Sequence, residues 1–218
     1  IPAWLTLHRQ AQILGLASAG APDPALEQAR DYVRRCLSFE LRFESEGQGN
    51  GFRGGEIRSS VTSTVKLQLD PADFVVKGQG PLVNTAFEVI IPDCSVSNER
   101  GGGTFEVLKL DLVVDPSSPA DAVGRVRDLR LVYDPGQTSE RARISCPDVG
   151  SFTLPGPWWT AWYFHTHMSE ITAEGYVLEG WEMTGGEPLA RKAWSKDYVG
   201  DGYTVRESGE VELYHRPE

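Results

Sequence analysis

From Cys36 onward the apolar residues of this chain recur at every second position through run after run, and that period limits the fold more than any other feature. A β-strand sends successive side chains to opposite faces, so such a run has one buried face and one wetted face. The segment "CLSFELRFESE" puts Leu37, Phe39, Leu41 and Phe43 on one face and Ser38, Glu40, Arg42 and Glu44 on the other. "EIRSSVTSTVKLQLD" sets Ile57, Val61, Val65, Leu67 and Leu69 opposite Arg58, Ser60, Thr62, Thr64, Lys66 and Gln68. The glycines of "GQGNGFRGGE" between them read as a loose hairpin loop.

Further strands are expected at "DFVVKG", "NTAFEVIIPD", "TFEVLKLDLVVD", "VRDLRLVYD", "ERARISCPD", "SFTLPG", "PWWTAWYFHTH", "GYVLEGWEM", "LARKAWS", "YTVRES" and "EVELYHRP". Turn-forming clusters such as "DPSSPAD" separate them, and the short connections make neighbouring strands antiparallel. In "TFEVLKLDLVVD" the apolar phase slips between Val107 and Leu108, which a β-bulge near Val107 reconciles. The expected fold is an all-β antiparallel meander forming a sandwich or a barrel, preceded by a short N-terminal helical segment.

That N-terminal segment differs in period. Residues 1–23 read as an arm and hinge, with Trp4, Leu7, Ala11 and Leu14 at helical spacing before the breaking run "ASAGAPDP". Asp23 before Pro24, with Glu27 in the first turn, predicts a helix over about 24–35. Residues 24–218 then form a single β-rich domain, a size that one core fills. The first residue is Ile1, which fits either a trimmed chain or a sequence that begins late.

With 31 acidic and 21 basic residues the net charge is −10, and the nearest basic run, Arg125, Arg127 and Arg130, alternates with apolar residues as the wet side of a strand. Nucleic acid is therefore not an expected partner. No window has the ~18–20 consecutive apolar residues of a transmembrane helix. The three cysteines, Cys36, Cys94 and Cys146, lack C-x-x-C spacing. Cys94 and Cys146 both lie at strand ends and would form a disulfide if those ends are neighbours, the alternative being three buried thiols.

The densest chemistry lies in "WWTAWYFHTHMSEITAEGYVLEG". As a strand, residues 158–167 place Trp158, Trp162 and Phe164 on one face and Trp159, Tyr163, His165 and His167 on the other, so the two imidazoles are co-facial. "HTHMSEITAEGYVLEG" resembles the first motif of the cupins, although its spacings before His165 and after His167 differ from that motif. The resemblance implies a metal-dependent enzyme in which His165, His167, Glu174 and His215 hold a divalent transition metal. A second alternative makes Trp159 and Tyr163 an aromatic platform for a carbohydrate. The adopted reading has the two histidines as polar alternates of an edge or surface strand whose aromatic residues fill the core, with no cofactor. The expected function is that of a non-catalytic protein, secreted or associated with the cell envelope. It is expected to act by binding or assembly, with proteins or copies of itself as partners and Trp4, Leu7 and Leu14 as an assembly arm.

Overall fold

The alternating runs pair into two antiparallel sheets. The computed structural model describes residues 28, 31, 34, 35 and 37–217, apart from 71, 74, 115–125, 137, 138, 156–169, 201 and 202. The strands are β1 (Phe39–Asn50), β2 (Glu56–Leu69), β3 (Val76–Ile90), β4 (Ser95–Glu99), β5 (Gly102–Val114), β6 (Val126–Asp134) and β7 (Arg141–Cys146). They continue with β8 (Gly150–Pro155), β9 (Glu170–Thr172), β10 (Gly175–Leu178), β11 (Glu182–Met183), β12 (Ala190–Gly200) and β13 (Tyr203–His215). The arm, the expected strand over "PWWTAWYFHTH" and Cys36 lie outside the described residues, as does the helix over about 24–35 but for four of its positions. Among the described residues from 37 on there is no α-helix, only a 3₁₀ turn at Phe52–Gly54.

The large sheet has the order β11-β12-β13-β1-β2-β3-β5-β6-β10-β9, and the small one β4-β7-β8. A pure meander is therefore corrected in two places. The last strand, β13, returns to pair with the first, Phe39 facing His215 and Leu41 facing Leu213. Strands β4, β7 and β8 leave the sequence of the large sheet to make their own. The large sheet curls until β11 lies against β6. Lys192, turned inward on β12, donates to the Glu179 carbonyl across that seam, and burial holds its pKa below the usual lysine range.

Inside the curl, Leu37, Phe39, Leu41, Phe43, Val65 and Leu67 pack against Phe105, Val107, Leu131 and Tyr133. Fully burying side chains of this size stabilises by roughly 1.5–3 kcal/mol each. The phase slip is a bulge, since the β5–β6 register shifts between Val107 and Lys109 and brings Leu110 back to the core face.

Several expected breaks are absent. Gly47–Asn50 is part of β1, the two runs around Gly78–Pro81 are one strand, β3, and those around Gly209 are one strand, β13. The cause is close packing: a Cβ on Gly209 would fall inside the Trp194 ring, and one on Gly80 would overlap the Thr64 carbonyl of β2. These glycines admit neighbours and do not turn the chain.

The small sheet covers the far ends of β2 and β3 through a second core of Phe87, Val89, Ile91, Ala142 and Ile144. Both polar atoms of the Asn98 amide bond Val89, its Oδ1 accepting from the backbone N–H and its Nδ2 donating to the carbonyl. Arg53 pairs with Asp148, joining the β1–β2 turn to the β7–β8 turn. Cys94 and Cys146 stand at disulfide distance, Sγ to Sγ 2.00 Å, across a separation of 52 residues. A link of that span stabilises a fold by about 2–4 kcal/mol. Reduction, or the pair Cys94→Ala and Cys146→Ala, is expected to lower the guanidinium midpoint accordingly. Hydrogen exchange should show the loss of protection in β4, β7 and β8 before β1 and β2.

Candidate functional site

Along β1 the inward positions read Phe39, Leu41, Phe43 and then Ser45, Gly47, Gly49. The neighbouring strands change at the same level. Opposite Ser45, Gly47 and Gly49, β13 presents Gly209, Glu207 and Val205, and β2 presents Val61, Ser59 and Ile57. Large apolar side chains thus give out midway along the central strands, and a layer of small and polar residues separates the two cores.

On the inner side of this layer lies Glu207, only 1% exposed. The Ser45 hydroxyl donates to its Oε1 at 3.4 Å, and the Trp194 indole N–H leans toward the same carboxyl. Burial pushes Glu207 up to about 8; the contacts from Trp194 and Ser45 and the charge of Lys196 pull the other way but do not match it. Among the described residues Oε2 has no hydrogen-bond partner, and neither do Ser59 Oγ, Ser63 Oγ or either polar atom of the Asn84 amide. A half-open, mainly apolar recess of about 10 Å³ is lined by Gly47, Gln48, Gly49, Ile57, Ser59, Val205 and Glu207. Tyr198, next inward on β12, is also pushed up to about 12, first by burial and then by the Glu207 charge.

On the outer side of the same strands runs a trough of about 480 Å³, walled by Glu44, Glu46, Ser60, Thr62, Ser208 and Glu210. Glu44 on β1 faces Glu210 on β13 in direct register. Like charges so placed repel. Glu46 accepts from the Ser208 hydroxyl at 3.1 Å, and Ser60 and Thr85 share a hydroxyl contact of 2.6 Å. Among the described residues none of the three glutamates is in an ion pair. Arg42 is taken by Glu40, and Arg191, whose charge Glu210 feels, is held by Glu182.

Of the residues singled out in the sequence, His165, His167, Trp159, Tyr163, Trp4, Leu7 and Leu14 lie outside the described residues. Glu174 is exposed in the β9–β10 turn, its N–H donating to Thr172 Oγ1. His215 ends β13 with its ring 5.3 Å from that of Phe39. In the sheet order β1, β2, β3, β5 and β6 stand between their strands. Among the described residues no group of three or more His, Cys, Asp or Glu is disposed to hold a metal. Trp181 and Trp194 are core residues: Trp181 donates to the Leu178 carbonyl, and Trp194 stacks on Phe43 at 5.9 Å. No helix among the described residues is long and apolar enough to cross a membrane. Glu207 was not foreseen, but a signal for it existed, because in "VRESGEVEL" it holds an inward position of the alternation Val205, Glu207, Gly209, Val211, Leu213.

Comparison with known protein families, with curated proteins and with solved structures returned no match.

The raised Glu207 gives stability a defined pH dependence. Between pH 4.5 and about 8 the unfolded chain has lost this proton and the folded chain keeps it, so stability falls as pH rises and levels off above 8. The full loss is at most about 5 kcal/mol. Asp70, Asp148, Glu182 and Asp197, held below the usual carboxylate range chiefly by hydrogen bonds from Lys77, Arg53, Arg191 and Arg206, act in the opposite sense and only in acid. Glu207→Gln is expected to flatten the curve of stability against pH from 5 to 9 in urea titrations, with its advantage over the parent greatest at pH 9.

Proposed function

We propose that this chain is a non-catalytic extracytoplasmic protein that acts by binding, and that its partner is a protein presenting an extended basic segment to the outer trough. The observation that carries this reading is the direct register of Glu44 with Glu210 in a trough that also holds Glu46. A cross-strand pair of like charge costs roughly 0.2–1 kcal/mol relative to a neutral one. A Lys- or Arg-bearing strand laid in the trough relieves that cost, and the net charge of −10 steers such a partner inward. The hydroxyls of Ser60, Thr62 and Ser208 supply hydrogen-bonding groups along the same path. The cysteine pair at disulfide distance supports an oxidising compartment. The approach of β11 to β6 supports a barrel as the finer description of the curled sheet.

The test uses hexalysine as probe, with calorimetric titration at 50 and 300 mM NaCl. The parent is expected to bind at low salt and to lose most of its affinity at high salt. The double variant Glu44→Gln, Glu210→Gln should bind at least tenfold more weakly while its fold gains up to about 1 kcal/mol from the removed repulsion. A control double variant at exposed carboxylates outside the trough, Glu106→Gln with Glu174→Gln, should keep the parent's affinity. Equal weakening in the two double variants reduces the effect to net charge and overturns the reading, as does a parent that does not bind.

A further inference from the structure

The outer trough does not stop at its carboxylates. Past Glu46, Ser60 and Ser208 it opens into a second depression of about 390 Å³ over Gln48, Arg58 and Arg206. That one leads into a third of about 420 Å³ over Asn50, Glu56, Asp197 and Thr204. Neighbouring depressions share wall residues, so one open groove runs lengthwise over β1 between β13 and β2. Along β1 its floor carries Glu44, Glu46, Gln48 and Asn50, all exposed.

The register of the strands sorts the charges of this groove into rows. Glu210 and Thr62 flank Glu44, and Ser208 and Ser60 flank Glu46, so these two rows hold three negative charges and no positive one. In the next row Gln48 lies between Arg206 and Arg58. The carboxylates that hold those arginines lie farther out, Asp197 on β12 at 2.7 Å from Arg206 and Glu56 one row on at 3.6 Å from Arg58. At the opposite end stands the row of Arg42, with Glu212 beside it and Arg191 beyond. The negative stretch is therefore two rows long, with arginines at both ends. Alternate residues of an extended chain are about 6.8 Å apart, and the stretch spans one such step.

We propose that the groove recognises an extended protein segment by two basic residues spaced two apart, with no basic residue at the next alternate position on either side. This rests on the reading of the trough given above and adds a sequence pattern to it. Cations at positions i and i+2 of the partner stand over the rows of Glu44 and Glu46, where Glu210 adds its charge. A third at i+4 falls over Gln48 between two guanidinium groups, and one at i−2 falls over Arg42; like charges so placed repel. Arg58 and Arg206 thus set the limit of the pattern on the side where the groove continues. Beyond the pair the segment meets amides. The Gln48 side chain has no hydrogen-bond partner among the described residues, and Asn50, whose Oδ1 accepts from the Thr204 N–H and hydroxyl, keeps its Nδ2 to donate.

Two peptides of one composition and one charge, TKTKTQTQT and TKTQTKTQT, each acetylated and amidated, test the pattern when titrated into the parent at low salt and followed by amide NMR shifts. The first, with its lysines two apart, is expected to bind at least threefold more tightly than the second, with its lysines four apart, and to shift the amides of Glu44, Glu46 and Glu210. In the double variant Arg58→Gln, Arg206→Gln the second peptide should gain and the preference should vanish. Both arginines are exposed and their ion pairs contribute little to stability. The comparison in the parent needs no variant and decides the pattern by itself. Equal binding of the two peptides to the parent overturns the inference and leaves the basic-partner reading standing, whereas binding of neither overturns both. A preference that the double variant keeps in full overturns the part given to Arg58 and Arg206.

Discussion

Strand β1 is paired along its whole length on both sides, twelve positions with β13 and twelve with β2, and the rest of the molecule is arranged around that fixed register. A slip of one residue would carry Phe39, Leu41 and Phe43 to the solvent face and Glu40, Arg42 and Glu44 into the core. Burial of the three apolar side chains therefore sets which residues of β13 and β2 stand opposite each other. The stacked rings of Phe43, Phe105, Tyr133 and Trp194 extend the same constraint across the curl, since Phe43 meets Phe105 at 5.5 Å and Phe105 meets Tyr133 at 5.3 Å. The register that packs the core at one end also dictates what happens at the other, where the apolar residues run out.

At that level hydrophobic burial no longer carries the sheet, and backbone pairing must hold it with small residues. Gly49 and Gly209 let strands and rings approach closely, but at this level Ser59, Ser63 and Glu207 are left with hydroxyls and a carboxyl oxygen without partners among the described residues. Sheets of this kind are locally weak, because the ladder remains while the side-chain contacts that reinforce it are few. The second core, tied by Cys94 and Cys146 and by Asn98 on Val89, steadies β2 and β3 beyond the weak layer. At the tip of β12–β13 the Asn50 amide oxygen accepts from the Thr204 N–H and hydroxyl, and no disulfide or second core stands behind it among the described residues.

The period of two made the inward residues of β1 and β2 legible in the sequence, as well as the bulge in β5 and the pairing of Cys94 with Cys146 as one of two options. It misled where glycine was taken for punctuation. Gly49, Gly78, Gly80 and Gly209 are strand residues whose missing Cβ makes room for a neighbour, and a single sequence does not distinguish that use from a turn. The return of β13 to β1 was also illegible, because closure between the ends of a chain leaves no local signature. The candidate site was missed for a related reason. Attention went to dense aromatic and imidazole chemistry, whereas Glu207 announces itself only as one charged residue at an inward step of an apolar alternation.

Successive residues on a strand face opposite sides of the sheet, so the inner and outer features here are two aspects of one stretch. Glu46 and Ser208 meet on the outside one step from where Gly47 and Glu207 meet on the inside. Three carboxylates already share the outer trough, and a fourth charge one sheet thickness away would act on them through a medium far less polarisable than water. Desolvation drives the rise in Glu207's pKa, and the effect on the surface is the same whatever the cause: at neutral pH the fourth carboxyl carries no charge. The sheet can therefore keep a strongly anionic outer face over its interior, because Glu207, which that interior does not solvate, keeps its proton.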